Sequence, residues 1–194
     1  MKLYLIRHGR TEANIRHLYC GSQDLPLLEG ETERLKSLAV GLPHAERFYI
    51  SGMRRTLQTL KALYGDVAYE VIPELKETCF GIFEMTSYEE NKEKPEYIEY
   101  ISGDFLGNVP PCGESFLQMK ARSLAGIAKV LQEETDCAVV THGGNITALM
   151  GSWFPEKCQG NWSINDFIPE PGSGYAVEFD KGVPVRYGEF LQIF

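Results

Sequence analysis

Leu3-Tyr4-Leu5-Ile6-Arg7-His8-Gly9 is the stretch on which the fold turns. Four apolar residues in a row predict a short strand buried on both faces, as in the parallel sheets of α/β proteins. The run stops at a cation, an imidazole and a glycine. Open α/β sheets place ligand sites at the carboxyl ends of their strands, so Arg7 and His8 stand where a ligand would be met. Gly9 lets the chain turn sharply and bring its backbone close to that ligand.

A second stretch repeats the design. Cys137-Ala138-Val139-Val140-Thr141-His142-Gly143-Gly144 is again an apolar strand followed by histidine and glycine. If the two strands are parallel neighbours, His8 and His142 emerge side by side. Ser51-Gly52-Met53-Arg54-Arg55-Thr56-Leu57-Gln58-Thr59 marks a third strand-to-helix junction between them. Two arginine-bearing and two histidine-bearing turns on one edge describe a pocket for a dianion.

These pieces resemble the histidine phosphatase superfamily, whose members share a phosphoglycerate mutase-like fold. The resemblance rests on Arg7-His8-Gly9, on the frame from Ser51 through Arg55 to Thr59, and on Glu77 before Phe80-Gly81. Gly113-Glu114-Ser115 and His142-Gly143-Gly144 complete it, in the family's order along nearly the whole chain. Gly21-Ser22-Gln23-Asp24-Leu25-Pro26-Leu27 also looks like the segment that follows the first motif. The fold implied is a three-layer α/β/α sandwich with a mostly parallel central sheet. The roles implied are His8 as nucleophile, Glu77 as proton donor, and Arg7, Asn14, Arg55, His142 and Gly143 as phosphate binders. Glu84 is the next candidate for the donor, although a structural carboxylate is the preferred reading of it. Arg122 matches a position read as structural.

Composition narrows the function further. The 194 residues suit one domain, residues 1–194, with a sizeable core. Hydrophobic residues at 43% and charged residues at 24% are ordinary for a globular protein, and the net charge of −8 disfavours nucleic acid or an anionic membrane as partner. A small anionic ester in a local basic pocket fits better. Met1-Lys2 precede too few apolar residues for a signal segment. Cys20, Cys79, Cys112, Cys137 and Cys158 are odd in number and widely spaced, which predicts reduced thiols and a cytoplasmic location. Their expected role is packing. No metal-ligand pattern is visible, and no cofactor is expected.

Along the chain, strands are predicted near Lys2–Arg7, Arg47–Ser51, Ala68–Pro73 and Cys137–Thr141. Lys181-Gly182 predicts a terminal hairpin between Tyr175–Asp180 and Val183–Phe190. A helix is expected over Glu29–Leu42, with Glu31 on its solvated face, and another over Met53–Tyr64, capped by Ser51. Between Glu114 and Glu134 a long helix should bury Leu117, Ala121, Leu124, Ala128 and Leu131. A last helix starts at Gly143, its amides facing the pocket. Residues 86–112, acidic and aromatic, read as a cap over the site.

The chemistry expected is phosphoryl transfer. His8 attacks through one nitrogen while the other donates to a backbone carbonyl; Arg7 and Arg55 fork onto the phosphoryl oxygens. His142 is expected to be protonated beside the dianion, so that no metal is needed. Glu77 must be protonated in the first step, which favours mildly acidic to neutral pH. Hydrolysis is preferred over mutase chemistry because acidic cap walls would repel a carboxylated substrate, while tyrosine and phenylalanine would suit a flat leaving group. Phe83-Glu84-Met85 in place of the family's common Trp-Glu-Gly looks like the branch acting on α-ribazole 5′-phosphate. A mutase and a non-catalytic phosphate-binding member are the alternatives.

Overall fold

The computed structural model describes residues 1–157 and 166–190. Six strands form one sheet: β1 (Lys2–Arg7), β2 (Arg47–Ile50), β3 (Glu70–Val71), β4 (Cys137–Thr141), β5 (Gly174–Asp180) and β6 (Val183–Phe190). Their spatial order is β3-β2-β4-β1-β5-β6. The first four in that order run parallel; β5 and β6 are antiparallel. Lys181 (φ 48°) and Gly182 (φ 76°) make the turn between β5 and β6, the double positive φ that matches the twist of a tight hairpin.

The helices are α1 (Glu12–Ile15), α2 (Glu31–Leu38), α3 (Arg54–Tyr64), α4 (Tyr88–Asn91), α5 (Pro95–Ile101), α6 (Phe116–Leu131) and α7 (Gly143–Trp153). Strand residues alternate between two cores. Leu3, Leu5 and Val139 pack with Ile127, Val130, Ile146 and Leu149 from α6 and α7. Tyr4, Ile6, Ala138 and Val140 pack with Leu35, Leu60 and Leu63 from α2 and α3. Helices on both faces are why the strands read as unbroken apolar runs, and they make the three-layer sandwich.

Several local expectations are corrected. The buried face of α6 is Phe116, Met119, Ser123, Gly126, Ile127 and Val130; of the expected stripe only Leu124 and Leu131 pack against the core, half-buried, while Leu117, Ala121 and Ala128 are exposed. Both stripes satisfy helical spacing; the chosen one carries Gly126, where a Cβ would come within 2.9 Å of Glu74 and 3.1 Å of Ile72, so small size selects it. Glu31 is buried, because Arg10 and Arg34 both pair with it. Ser51 does not cap α3. Met53 holds that position, and the Arg54 amide is capped from a distant loop by Asp24 Oδ1 at 2.7 Å. The third strand is only two residues long, paired to Tyr49 and Ile50. Cys158 lies outside the described residues; Cys20, Cys79, Cys112 and Cys137 are free thiols.

Candidate active site

The sheet order puts β2, β4 and β1 side by side, and the register brings their carboxyl ends level. Arg7 pairs with Thr141, and Ile50 with Val140. His8 N donates to Thr141 O at 3.0 Å, so the next residues along both strands, His8 and His142, meet. Their rings stand 5.1 Å apart, edge to face.

His8 Nδ1 donates to its neighbour's carbonyl, Gly9 O, at 2.7 Å. That bond fixes the neutral tautomer with the lone pair on Nε2. Burial holds the imidazole well below its ordinary pKa, reinforced by the Arg55 and Arg7 guanidiniums. Arg55 is 1% exposed, yet none of its hydrogen bonds goes to a carboxylate. Nε donates to His142 Nδ1 (3.3 Å), Nη1 to Gln23 O (2.7 Å) and Nη2 to Gly21 O (3.0 Å). One N–H on each terminal nitrogen is left over, a fork suited to phosphoryl oxygens. Arg7 Nη1 donates to Pro169 O at 2.8 Å, while its buried Nε has no partner among the described residues.

His142 departs from the expected cation. Its Nδ1 accepts from Arg55, so the ring is neutral and its Nε2–H donates to Ser51 Oγ at 2.8 Å. Burial, then the Arg55 charge, holds its pKa well down. Both ring nitrogens are engaged, and the ring is fully buried behind Arg55 rather than on the pocket wall.

Glu77 sits against the start of α7. Oε2 accepts from the Gly144 amide (3.2 Å) and Oε1 from the Thr78 amide (2.9 Å). Arg122 fastens this segment from behind, donating to the carbonyls of Glu74 (2.7 Å), Lys76 (2.5 Å) and Glu77 (2.9 Å). Glu84 accepts from the amides of Gly21, Ser22 and Phe80. Asn14 Oδ1 accepts from the Thr11 amide at 2.8 Å, leaving its NH2, a donor, for an anion. Gly143 lies against Arg7: a Cβ there would stand 3.4 Å from Arg7 Nε.

A cavity of about 160 Å³ brings together Arg7, His8, Asn14, Arg55 and Glu77. Gly143 is instead on the wall of an adjoining, mainly apolar chamber of about 210 Å³, with Tyr100, Phe105 and Phe116. Arg7, Tyr19, Glu77 and Phe80 line both spaces, so Glu77 stands where they meet. A separate cavity of about 260 Å³, bounded by Glu170, Tyr175 and Glu189, has no cation among the described residues of its wall. The acidic residues expected as cap walls face outward. On α5, Tyr97 and Tyr100 turn inward, Tyr97 meeting Phe83 edge to face and Tyr100 stacking on it, while Glu96 and Glu99 are exposed.

The profile of the histidine phosphatase superfamily (branch 1) matches residues 3–186. The chain belongs to that superfamily. It is 32% identical over 191 residues to the adenosylcobalamin/alpha-ribazole phosphatase of Salmonella typhimurium, covering 94% of this chain and 92% of that one. It is 27% identical over 162 residues to a probable phosphoglycerate mutase of Escherichia fergusonii, covering 78% and 74%. The crystal structure of the alpha-ribazole phosphatase from Shigella flexneri superposes with a TM-score of 0.86 at 24% identity, covering 99% and 96%; at that identity the likeness bears on the fold. The protein is therefore a phosphatase with a phosphoglycerate mutase-like fold.

Parts of this histidine phosphatase's pocket carry no signal in the sequence. Arg55 is held by the backbone carbonyls of Gly21 and Gln23, and a carbonyl has no residue type to read. Tyr19 joins the two halves of the site: its ring packs on Phe80 and its hydroxyl meets Tyr97. Cys20, expected as packing, lines the anion pocket half-buried, and burial pushes its thiol pKa up.

Proposed function

We propose that this protein hydrolyses a phosphomonoester of a small molecule with a flat aromatic leaving group, through a phosphohistidine intermediate and without a metal. The observation that carries the reading is the union at Glu77 of an anion pocket and an apolar chamber. The phosphoryl group occupies the first and the leaving group the second.

His8 Nε2 attacks phosphorus with its lone pair. Arg7 and Arg55 donate to the oxygens that gain charge, with the Asn14 amide beside them. His142 holds Arg55 in place through its Nδ1. As the P–O bond to the leaving group breaks, the departing oxygen takes its proton from Glu77. Glu77 then removes a proton from water as that water attacks phosphorus. The P–N bond breaks, phosphate leaves, and His8 regains its lone pair.

α-Ribazole 5′-phosphate is the substrate proposed. A relative carries that activity in its name, and the ring-lined chamber suits its base. The mutase alternative loses its original counter-argument, since the cap acids face solvent. The new one is that the chamber is walled mainly by rings, Tyr100, Phe105 and Phe116, and that Arg7, the one cation among the described residues of its wall, is already committed to the phosphoryl group. Residues 1–194 are read as a single domain, with residues 86–112 as the cap that supplies Tyr100 and Phe105. The free thiols support a reducing, cytoplasmic location; among the described residues no helix is long and apolar enough to cross a membrane.

The test is initial-rate phosphate release, with chelator present, from α-ribazole 5′-phosphate, 3-phosphoglycerate, sugar phosphates and an aryl phosphate. α-Ribazole 5′-phosphate should be the fastest, and His8→Ala should abolish all turnover. Near-normal turnover by His8→Ala would end the phosphohistidine reading; release from the aryl ester alone would keep the chemistry and discard the substrate.

A further inference from the structure

We infer that Glu84 is a positioning residue for phosphate binding, acting through Arg55 rather than as an acid or base. The inference rests on the reading that Arg55 holds the phosphoryl group. Glu84 lines neither the anion pocket nor the apolar chamber. Its carboxylate is occupied by backbone amides: Oε1 accepts from Ser22 (2.8 Å), Phe80 (3.0 Å) and Gly21 (3.2 Å), and Oε2 from Gly21 (3.0 Å). Those amides belong to two irregular segments, the loop after α1 and the turn after Thr78, which Glu84 staples together. Their approach is close: a Cβ on Gly21 would fall 1.5 Å from Thr78 O.

The same loop presents the carbonyls that hold both terminal nitrogens of Arg55. Gly21 therefore donates its N–H to Glu84 and accepts from Arg55 through its C=O. The direction in which the Arg55 fork points is thus set by a carboxylate that the ligand never touches. A buried guanidinium has many poses, and only a fixed loop selects the one that faces His8.

Charge and geometry predict opposite outcomes at this residue. Glu84 is one of the carboxylates whose charge is felt at Arg55. Removing that charge alone would tighten phosphate binding. Removing the staple would weaken it. Glu84→Gln keeps the volume but turns an NH2 donor toward one of the amides, leaving two donors face to face.

The experiment measures kcat/KM on an aryl and an alkyl phosphate, the inhibition constant of inorganic phosphate, and the thermal midpoint. The variants are Glu84→Gln, Glu84→Asp, Arg55→Ala and the double variant Glu84→Gln/Arg55→Ala. Glu84→Gln should weaken phosphate and lower kcat/KM by about tenfold to a hundredfold, equally for both esters. In the Arg55→Ala background it should cost less than about twofold. Glu84→Asp, which keeps the charge but pulls the carboxylate back from the amides, should also lose affinity and serves if the glutamine variant does not fold. Tighter phosphate in Glu84→Gln, a loss confined to the alkyl ester, or full additivity with Arg55→Ala would each overturn the inference. If Arg55→Ala itself leaves phosphate binding intact, the underlying site reading fails instead.

Discussion

Met85 has φ +61°, in the left-handed region that favours glycine, at the position where the family commonly has glycine. Its amide still donates to Tyr19 O at 2.7 Å, so the backbone conformation is held by the pairing with Tyr19 rather than by the side chain. Met85→Gly should raise stability by about 0.5–1 kcal/mol by removing the Cβ clash. Urea unfolding of the pair checks this; a fall in stability would mean that packing of the methionine outweighs the strain. Arg10 is likewise held by a residue distant in sequence. It departs from the family pattern, and the structure pairs it with buried Glu31, through both Nε and the backbone amide, so it does not bear on the pocket.

At the scale of elements, the start of α7 places the proposed acid. The sequence points its first amides at the phosphate; the Gly144 amide instead binds the Glu77 carboxylate. A Cβ on Gly144 would stand 2.5 Å from Glu77 Oε1, so an alanine there must push the carboxylate away. Alanine is also the better helix former. Gly144→Ala should therefore keep or raise the thermal midpoint while cutting turnover by about tenfold to a hundredfold, most on poor leaving groups. Unchanged turnover on an alkyl phosphate would remove Glu77 from the donor role. Ser51 is likewise reassigned by its neighbours. Its hydroxyl bridges His142 Nε2 and Thr56 Oγ1, and so supports the ring that supports Arg55.

For the whole molecule, two neutral histidines enclosed beside two guanidiniums make folding sensitive to acid. Burial and the arginine charges hold both pKa values well below that of an exposed imidazole. Below about pH 6.5 the unfolded chain takes up protons that the folded chain refuses, so stability falls as pH falls. The loss should fall between about pH 7.5 and 5.5, the range in which an exposed imidazole takes up its proton. Denaturant midpoints at the two pH values, in buffer free of phosphate, check the sign. Saturating phosphate should reduce the slope, since an anion beside the rings favours their protonated forms. Stability that does not change over this range would mean that one or both rings are protonated in the folded protein.

The strand positions, the closing hairpin and the two strand-end histidines were legible because they depend on local signals; the mostly parallel arrangement was implied only by the resemblance of the motifs to a known family. Apolar runs, glycines at turns and spaced motif residues carry their meaning within about ten positions. The tertiary structure decided what depends on distant partners. Which of two equally periodic stripes of α6 faces inward was settled by room for Gly126 against Glu74 and Ile72. Glu31 is buried because Arg10 and Arg34 enclose it, the cap of α3 comes from Asp24, and the carboxylates of α5 face solvent because Tyr97 and Tyr100 take its inner face. His142 is neutral because a guanidinium N–H can only donate, and Arg55 spends one on its ring. Arg55 in turn is held by carbonyls, the one hydrogen-bonding group that every residue shares, so no residue type in the chain could announce its partners.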